Sequence, residues 1–204
     1  MRSPRINCEP KLFDNPVESE KDPIGFFMPN GTLILNASGI QRALTRIAHE
    51  IAERNESSED VAIVGVQRGG VHLARRLGEV LSAVWGHPVP VGLVDVGMHR
   101  DDLHQRVTPK IHPTTIPFDI TGKTVVLVDD VLYSGRTTRA ALDALNDFGR
   151  PQRIQLAVLI DRGHRELPIT ADFVGKNVPT SSKERINVHL KEAGEEDAVY
   201  LEKI

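Results

Sequence analysis

Val125-Val-Leu-Val-Asp-Asp-Val-Leu-Tyr-Ser-Gly-Arg-Thr-Thr138 carries most of the information in this chain of 204 residues. Lys123 to Val128 reads as a strand buried on both faces, because its aliphatic residues run on without alternation. It ends in two acids, Asp129 and Asp130, and Leu132 to Thr137 reads as a turn. Gly135 in that turn permits close backbone approach to a ligand. Thr137 and Thr138 then open a helix, expected over 138–148, with Gly149 at its C-cap position and Pro151 just beyond. Backbone N–H groups at such a helix start, with the hydroxyls of Ser134, Thr137 and Thr138, can cradle a phosphate. Twin carboxylates beside the cradle suit ribose hydroxyls, directly or through Mg2+. The pattern therefore describes a ribose 5-phosphate, an anion at one end and a diol at the other. It lacks the lysine and spacing of a Walker loop and the glycine spacing of a dinucleotide fingerprint. The plainer alternative is a strand whose last Asp caps the next helix. It leaves the coincidence of acids, glycine and hydroxyls unexplained.

The same logic extends outward. Ile40, Ala43, Leu44, Ile47, Ala48 and Ile51 recur at helical spacing, with Ser38 and Gln41 in capping-box positions. Val61 to Val66 is a second continuous apolar run, broken by Gln67-Arg-Gly-Gly70 and followed by a helix over 71–84. Strands are predicted over 89–96 and 153–160, with a last short one over 186–190, and 161–183 reads as loop. A short strand is expected after Asn30-Gly31. Residues 97–122 show little periodicity, and a connection that long usually serves function. Strands alternating with helices predict an α/β fold with a mostly parallel sheet, whose ligands sit at the carboxyl ends of the strands.

Composition sets the outer bounds. Hydrophobic residues make up 40% and charged residues 26% of the chain, an ordinary globular balance that excludes collagen-like and disordered classes. No run is long enough to span a membrane, and no signal-peptide core is visible near Met1. The single cysteine, Cys8, excludes an internal disulfide and fits a reducing cytoplasm. A net charge of -3 does not advertise nucleic-acid binding, so any such site must be a local patch. Residues 1–35, rich in proline and charge, read as an N-terminal extension; 36–204 forms the domain.

Beyond the phosphate motif, Arg42-Ala-Leu-Thr-Arg-Ile-Ala-His-Glu50, Arg100-Asp-Asp-Leu103, Gln155 to Pro168 and Gly175-Lys-Asn-Val-Pro-Thr180 resemble the PyrR family. These are bifunctional pyrimidine-operon regulators and uracil phosphoribosyltransferases of the type I phosphoribosyltransferase superfamily. The resemblance implies a mostly parallel twisted sheet flanked by helices, with a flexible loop and a small hood. It implies conversion of uracil and phosphoribosyl diphosphate to UMP and diphosphate, with Mg2+. By the family motif, Asp129 and Asp130 would bind the ribose and the metal, and Arg100 would reach the diphosphate from the flexible loop. Tyr133, Ser134, Gly135, Arg136, Thr137 and Thr138 would take the 5-phosphate. Arg68 and Gly69 would face the diphosphate, where many members have Thr-Arg-Gly and this chain has Arg-Gly-Gly. Arg162 would lie by the base. His99, His104 and His112 lack metal-ligand spacing.

The resemblance also implies an RNA face. Arg42, Thr45, Arg46 and His49 form a stripe on the first helix, which Arg165 and Lys176 are expected to join. Alone, such a stripe is an ordinary solvated helix face. In RNA-binding members the corresponding surface holds the leader mRNA hairpin. Gln41 and Thr170 stand where those members often carry arginine. Three outcomes stay open at this point: an enzyme that is also a UMP-responsive mRNA regulator, an attenuator with weak or no activity, and an enzyme without RNA binding. A homodimer or higher homo-oligomer without membrane attachment is expected.

Overall fold

The apolar runs of the sequence become the strands of one parallel sheet in the computed structural model, which describes residues 31–56, 58–99 and 112–204. The elements in chain order are β1 (Gly31–Asn36), α1 (Ala37–Arg54), β2 (Val61–Val66), α2 (Gly70–Trp85), β3 (Val91–Val94), β4 (Thr124–Leu132), α3 (Arg136–Leu145), β5 (Arg153–Asp161), β6 (Phe173–Asn177), β7 (Glu184–His189) and β8 (Ala198–Lys203). Five strands pair in parallel in the order β3-β2-β4-β5-β6. A smaller antiparallel sheet, β1-β8-β7, is the hood that the resemblance implies. Of the expected N-terminal extension over 1–35, residues 1–30 lie outside the described residues, as do Arg100 and His104, and 31–35 lie in β1. Among the described residues no helix is long and apolar enough to cross a membrane.

Two apolar layers cover the sheet. On one face α1 and α2 bury Ile40, Leu44, Ile47, Ile51, Leu73, Leu77 and Leu81 against β2 and β4, and the hood adds Ile186 and Val199. On the other, α3 buries Ala140, Ala141, Ala144 and Leu145 against Val64, Val125, Leu127 and Leu156. Each fully buried aliphatic side chain contributes roughly 1.5–3 kcal/mol. Central strands thus need apolar residues on both faces, which is why β2 is buried throughout.

Several boundaries differ from the sequence reading. Asn36, not Ser38, caps α1: its side chain accepts the Gly39 N–H at 2.9 Å, and the Ser38 hydroxyl donates to the same oxygen. β4 does not stop at Val128. Parallel pairing with β5 carries it on to Leu132 opposite Asp161. α3 starts two residues early, at Arg136, and ends at Leu145, not Phe148. The N–H groups of 146–148 reach back three residues instead of four, which tightens the last turn before Gly149. β3 spans only 91–94. β6 falls within the segment read as loop, and β8 follows the strand expected to be last.

Candidate functional site

The carboxyl ends of β2, β4 and β5 converge on one place. Asp129 sits in the carboxyl-terminal half of β4 and is buried, with its carboxylate accepting the Asp130 N–H at 2.9 Å. Asp130 turns its carboxylate onto the start of α2, where it accepts the Val131 N–H at 2.7 Å. A Cβ built on Gly69 would lie 2.1 Å from Asp130 Oδ2, and one on Gly70 would lie 2.0 Å from the Val128 carbonyl oxygen. The Gly69-Gly70 pair is therefore what lets α2 begin against the acids. Burial pushes the Asp130 carboxyl above its ordinary value, and the Val131 N–H bond only partly offsets this. Asp130 is half-buried, so its carboxylate stays within reach of a cation or of sugar hydroxyls. The Gln67–Arg68 peptide bond, at the same turn, is cis. The Arg68 side chain is exposed.

The 133–138 turn lies beside the acids. Gly135 has φ +90 and is the N-cap of α3, where it offers no capping side chain. Thr138 is buried and Thr137 half-buried at the first turn, and Ser134 Oγ faces the Arg136 N–H at 3.4 Å. Tyr133 is half-exposed, with the Arg162 guanidinium 4.2 Å above its ring and the His164 ring edge-on to it. Arg162 is buried. It donates to Thr180 Oγ1 at 3.0 Å and to the Ser181 and Glu184 carbonyls at 3.3 and 2.7 Å, so it ties the end of β5 to the start of the hood.

The structure thus brings Asp129, Asp130, Gly69, Arg162 and residues 133–138 to one end of the sheet. The basic stripe is elsewhere. Arg42 and His49 are exposed on α1, with Thr45 half-buried between them. Arg46 pairs with Glu50 and donates to the Val174 and Gly175 carbonyls at 2.9 and 2.7 Å. Lys176 donates to the Ile34 carbonyl at 3.2 Å, so both cations knit α1 and β1 to β6. Arg165 is engaged at the carboxyl end of the sheet instead, with Asp161 and the carbonyls of the 132–133 turn.

Three residues that bear on this region were not singled out in the sequence. Asp95 accepts from Gly97 N–H and from His112 N–H, which pins both ends of the long loop. Gln67 donates to the Pro113 carbonyl at 3.0 Å, joining the α2 turn to that loop. Arg76 on α2 is clamped between Glu192 and Asp197 at 2.5–2.8 Å and fixes the hood. Each lies in a loop or on a helix face whose partner is distant in sequence, and no local pattern marks it.

Residues 33–192 match the phosphoribosyl transferase domain family. A Bifunctional protein PyrR from Roseiflexus sp. (strain RS-1) is 64% identical over 170 residues, covering 82% of this chain and 93% of that protein. One of the same name from Thermus aquaticus is 56% identical over 169 residues, covering 82% and 93%. Among solved structures, a hypoxanthine phosphoribosyltransferase from Trypanosoma cruzi superposes with TM-score 0.66 at 20% identity, covering 85% of this chain and 96% of that one. The enzyme from Leishmania tarentolae in complex with GMP gives 0.65 at 16% identity, covering 85% and 97%. At that identity the two structures speak for the fold alone.

Proposed function

The chain belongs to the phosphoribosyltransferase family, and within it to the PyrR proteins, and from that premise we propose that it transfers phosphoribose to uracil and regulates pyrimidine genes through mRNA. The observation that carries the enzymatic part is the convergence of the Asp129-Asp130 pair, the 133–138 turn and the Gly69-Gly70 start of α2 on one end of the sheet. Phosphoribosyl diphosphate fits this arrangement by its chemistry. Its 5-phosphate meets the 133–138 turn at the start of α3, its diol meets the two acids, and its diphosphate meets the exposed Arg68 and the backbone of the α2 turn.

Little covalent work falls to the protein. The transition state resembles an oxocarbenium ion at the ribose C1, so the side chains orient uracil, hold the ribose and stabilise the departing diphosphate. Asp129 and Asp130 grip the hydroxyls and leave negative charge near the developing cation. Arg68 contributes positive charge where diphosphate charge builds up, and Arg100 is assigned the same role from the long loop. Among the described residues no cluster of three or more His, Cys, Asp or Glu could hold a metal. Asp129 and Asp130 would therefore hold Mg2+ together with substrate oxygens, and the ion would neutralise diphosphate charge. Arg162 acts near the base by holding Tyr133 and the entrance of the hood. The test is UMP formation from uracil and phosphoribosyl diphosphate with Mg2+; binding of UMP without turnover would refute the enzyme.

The regulatory part rests on the α1 stripe. Arg42 and His49 are exposed for phosphate contact and Thr45 sits between them for a base edge or 2′-hydroxyl. Arg46 and Lys176 extend the face toward β6, though their bonds to main-chain carbonyls show a packing role as well. In this reading UMP in the catalytic pocket is the effector, favouring the RNA-competent form by differential affinity. Filter binding to a pyrimidine-operon leader RNA with and without UMP tests it, and indifference to UMP would remove it. The chain is assigned to the cytoplasm as a homo-oligomer.

A further inference from the structure

We propose that Arg165 is a positioning residue of the phosphate-binding turn, acting from behind it; the proposal rests on the phosphoribosyltransferase reading above. The guanidinium fork of Arg165 collects five acceptors. Nε donates to the Ile169 carbonyl at 3.0 Å, Nη1 to the carbonyls of Tyr133, Gly163 and Leu132 at 2.8, 3.2 and 3.5 Å, and Nη2 to the Asp161 carboxylate. The next two residues complete the brace. The N–H groups of Glu166 and Leu167 both donate to the Ser134 carbonyl, at 3.0 and 3.1 Å. The Glu166 carboxylate holds the Arg136 guanidinium at 2.6 Å.

The consequence follows from the planarity of the peptide group. In a trans peptide the C=O of one residue and the N–H of the next point in opposite directions. The carbonyls of Tyr133 and Ser134 are drawn toward 165–167, and that of Leu132 accepts the Arg162 N–H at 3.1 Å with Arg165 at its flank, so the N–H groups of Tyr133, Ser134 and Gly135 are turned away from these donors. These three N–H groups have no acceptor among the described residues. They form a row of amide dipoles that runs into the start of α3, suited to a phosphate monoester. Gly135 fits the same scheme: a Cβ there would lie 3.3 Å from the Ile169 side chain, so the brace packs directly on the turn. Arg165 thus serves the nucleotide through carbonyl groups, without touching it, although it is a cation that the sequence places among RNA contacts.

Two variants separate geometry from charge. Arg165→Lys keeps the cation but not the planar fork, and Arg165→Gln keeps neither. Both are expected to raise KM for phosphoribosyl diphosphate and Kd for UMP by about tenfold or more, leaving KM for uracil within about twofold. Rescue by lysine, or equal losses for uracil and phosphoribosyl diphosphate, would overturn the proposal. If either variant fails to fold, the wild type still decides through its amide NMR signals. The Tyr133, Ser134 and Gly135 N–H resonances are expected to shift on adding UMP but not uridine. A wild type that makes UMP without those shifts refutes the brace alone. A wild type that binds no UMP refutes the enzymatic reading and the brace together.

Discussion

Gly70→Ala tests the junction on which the whole site depends. The added methyl would stand 2.0 Å from the Val128 carbonyl oxygen, 2.9 Å from its carbon and 3.2 Å from the Asp129 Cα. All three atoms are backbone of a central strand, so no side-chain rotation can relieve the overlap. A normal carbon–oxygen approach is about 3.3 Å, so the start of α2 must retreat from β4 by roughly 1 Å. Overpacking of this kind typically costs about 1–3 kcal/mol, or more where backbone must move. The gain in helix propensity from glycine to alanine, at most about 1 kcal/mol, offsets part of it. A net loss of about 2 kcal/mol is expected in urea denaturation, or roughly 4–8 °C in Tm for a chain of this size. The same retreat pulls Gly69 off the Asp130 carboxylate, and a misplacement near 1 Å can lower kcat/KM about a hundredfold. A variant within about 0.5 kcal/mol of wild type and with unchanged kcat/KM would show that the two backbones do not meet as described.

Three other perturbations have defined outcomes. Asp130→Asn removes a half-buried carboxyl whose pKa is raised by desolvation above its ordinary 3.8. Because the folded value is the higher one, wild-type stability is greatest below the ordinary value and declines as pH rises through the folded one. The amide should flatten that decline and raise Tm at neutral pH while nearly abolishing UMP formation; a lower Tm at neutral pH would contradict this. Arg76→Met strands Glu192 and Asp197, whose pKa values are lowered mainly by their hydrogen bonds to Arg76. The loss should be about 3 kcal/mol at neutral pH and should shrink as pH falls through the two carboxylates' lowered values; an undiminished loss in acid would argue against the ion pairs. Arg46→Gln breaks a half-exposed pair and the hydrogen bonds to the Val174 and Gly175 carbonyls, so stability should fall by about 1–2 kcal/mol without loss of the fold. Affinity for leader RNA should nevertheless fall, with the log–log salt slope reduced by about 1; an unchanged slope would take Arg46 off the RNA face.

The phosphate turn and the strands leading to it were readable because their chemistry is local. Val125 to Thr138 states a buried strand, two acids, a turn and a helix start within one window. Likewise α1 announces itself by the spacing of Ile40, Leu44, Ile47 and Ile51. What escaped was set by partners far away in the chain. β4 continues through its two acids because β5 pairs with it, a cause invisible at Asp129. β6 offers only Phe173 and Val174 before Gly175-Lys-Asn177, too short a run to stand out. Its Gly175 admits the neighbouring backbone, a Cβ there falling 2.4 Å from the Leu159 carbonyl oxygen. β8 has a usable signature in Val199-Tyr-Leu201, but its meaning depends on β1, at the opposite end of the domain. The cap of α1 was displaced because Asn36 and Ser38 are both good caps, and only the path of β1 chooses between them. Arg165 hides its structural partners for the opposite reason. Its positive charge is visible in the sequence, whereas the carbonyl oxygens that consume it are not.

The pairing of Gly31–Asn36 with Ala198–Lys203 imposes an order on biosynthesis. While the ribosome is still making the second half of the chain, the first strand has nothing to zip against, so it must wait through the emergence of every other element. The phosphate turn and the five-stranded sheet can mature first, and the small sheet closes last. A nascent or C-terminally clipped chain would then carry an assembled anion site with its roof unfastened, and the clipping would be felt at residue 31.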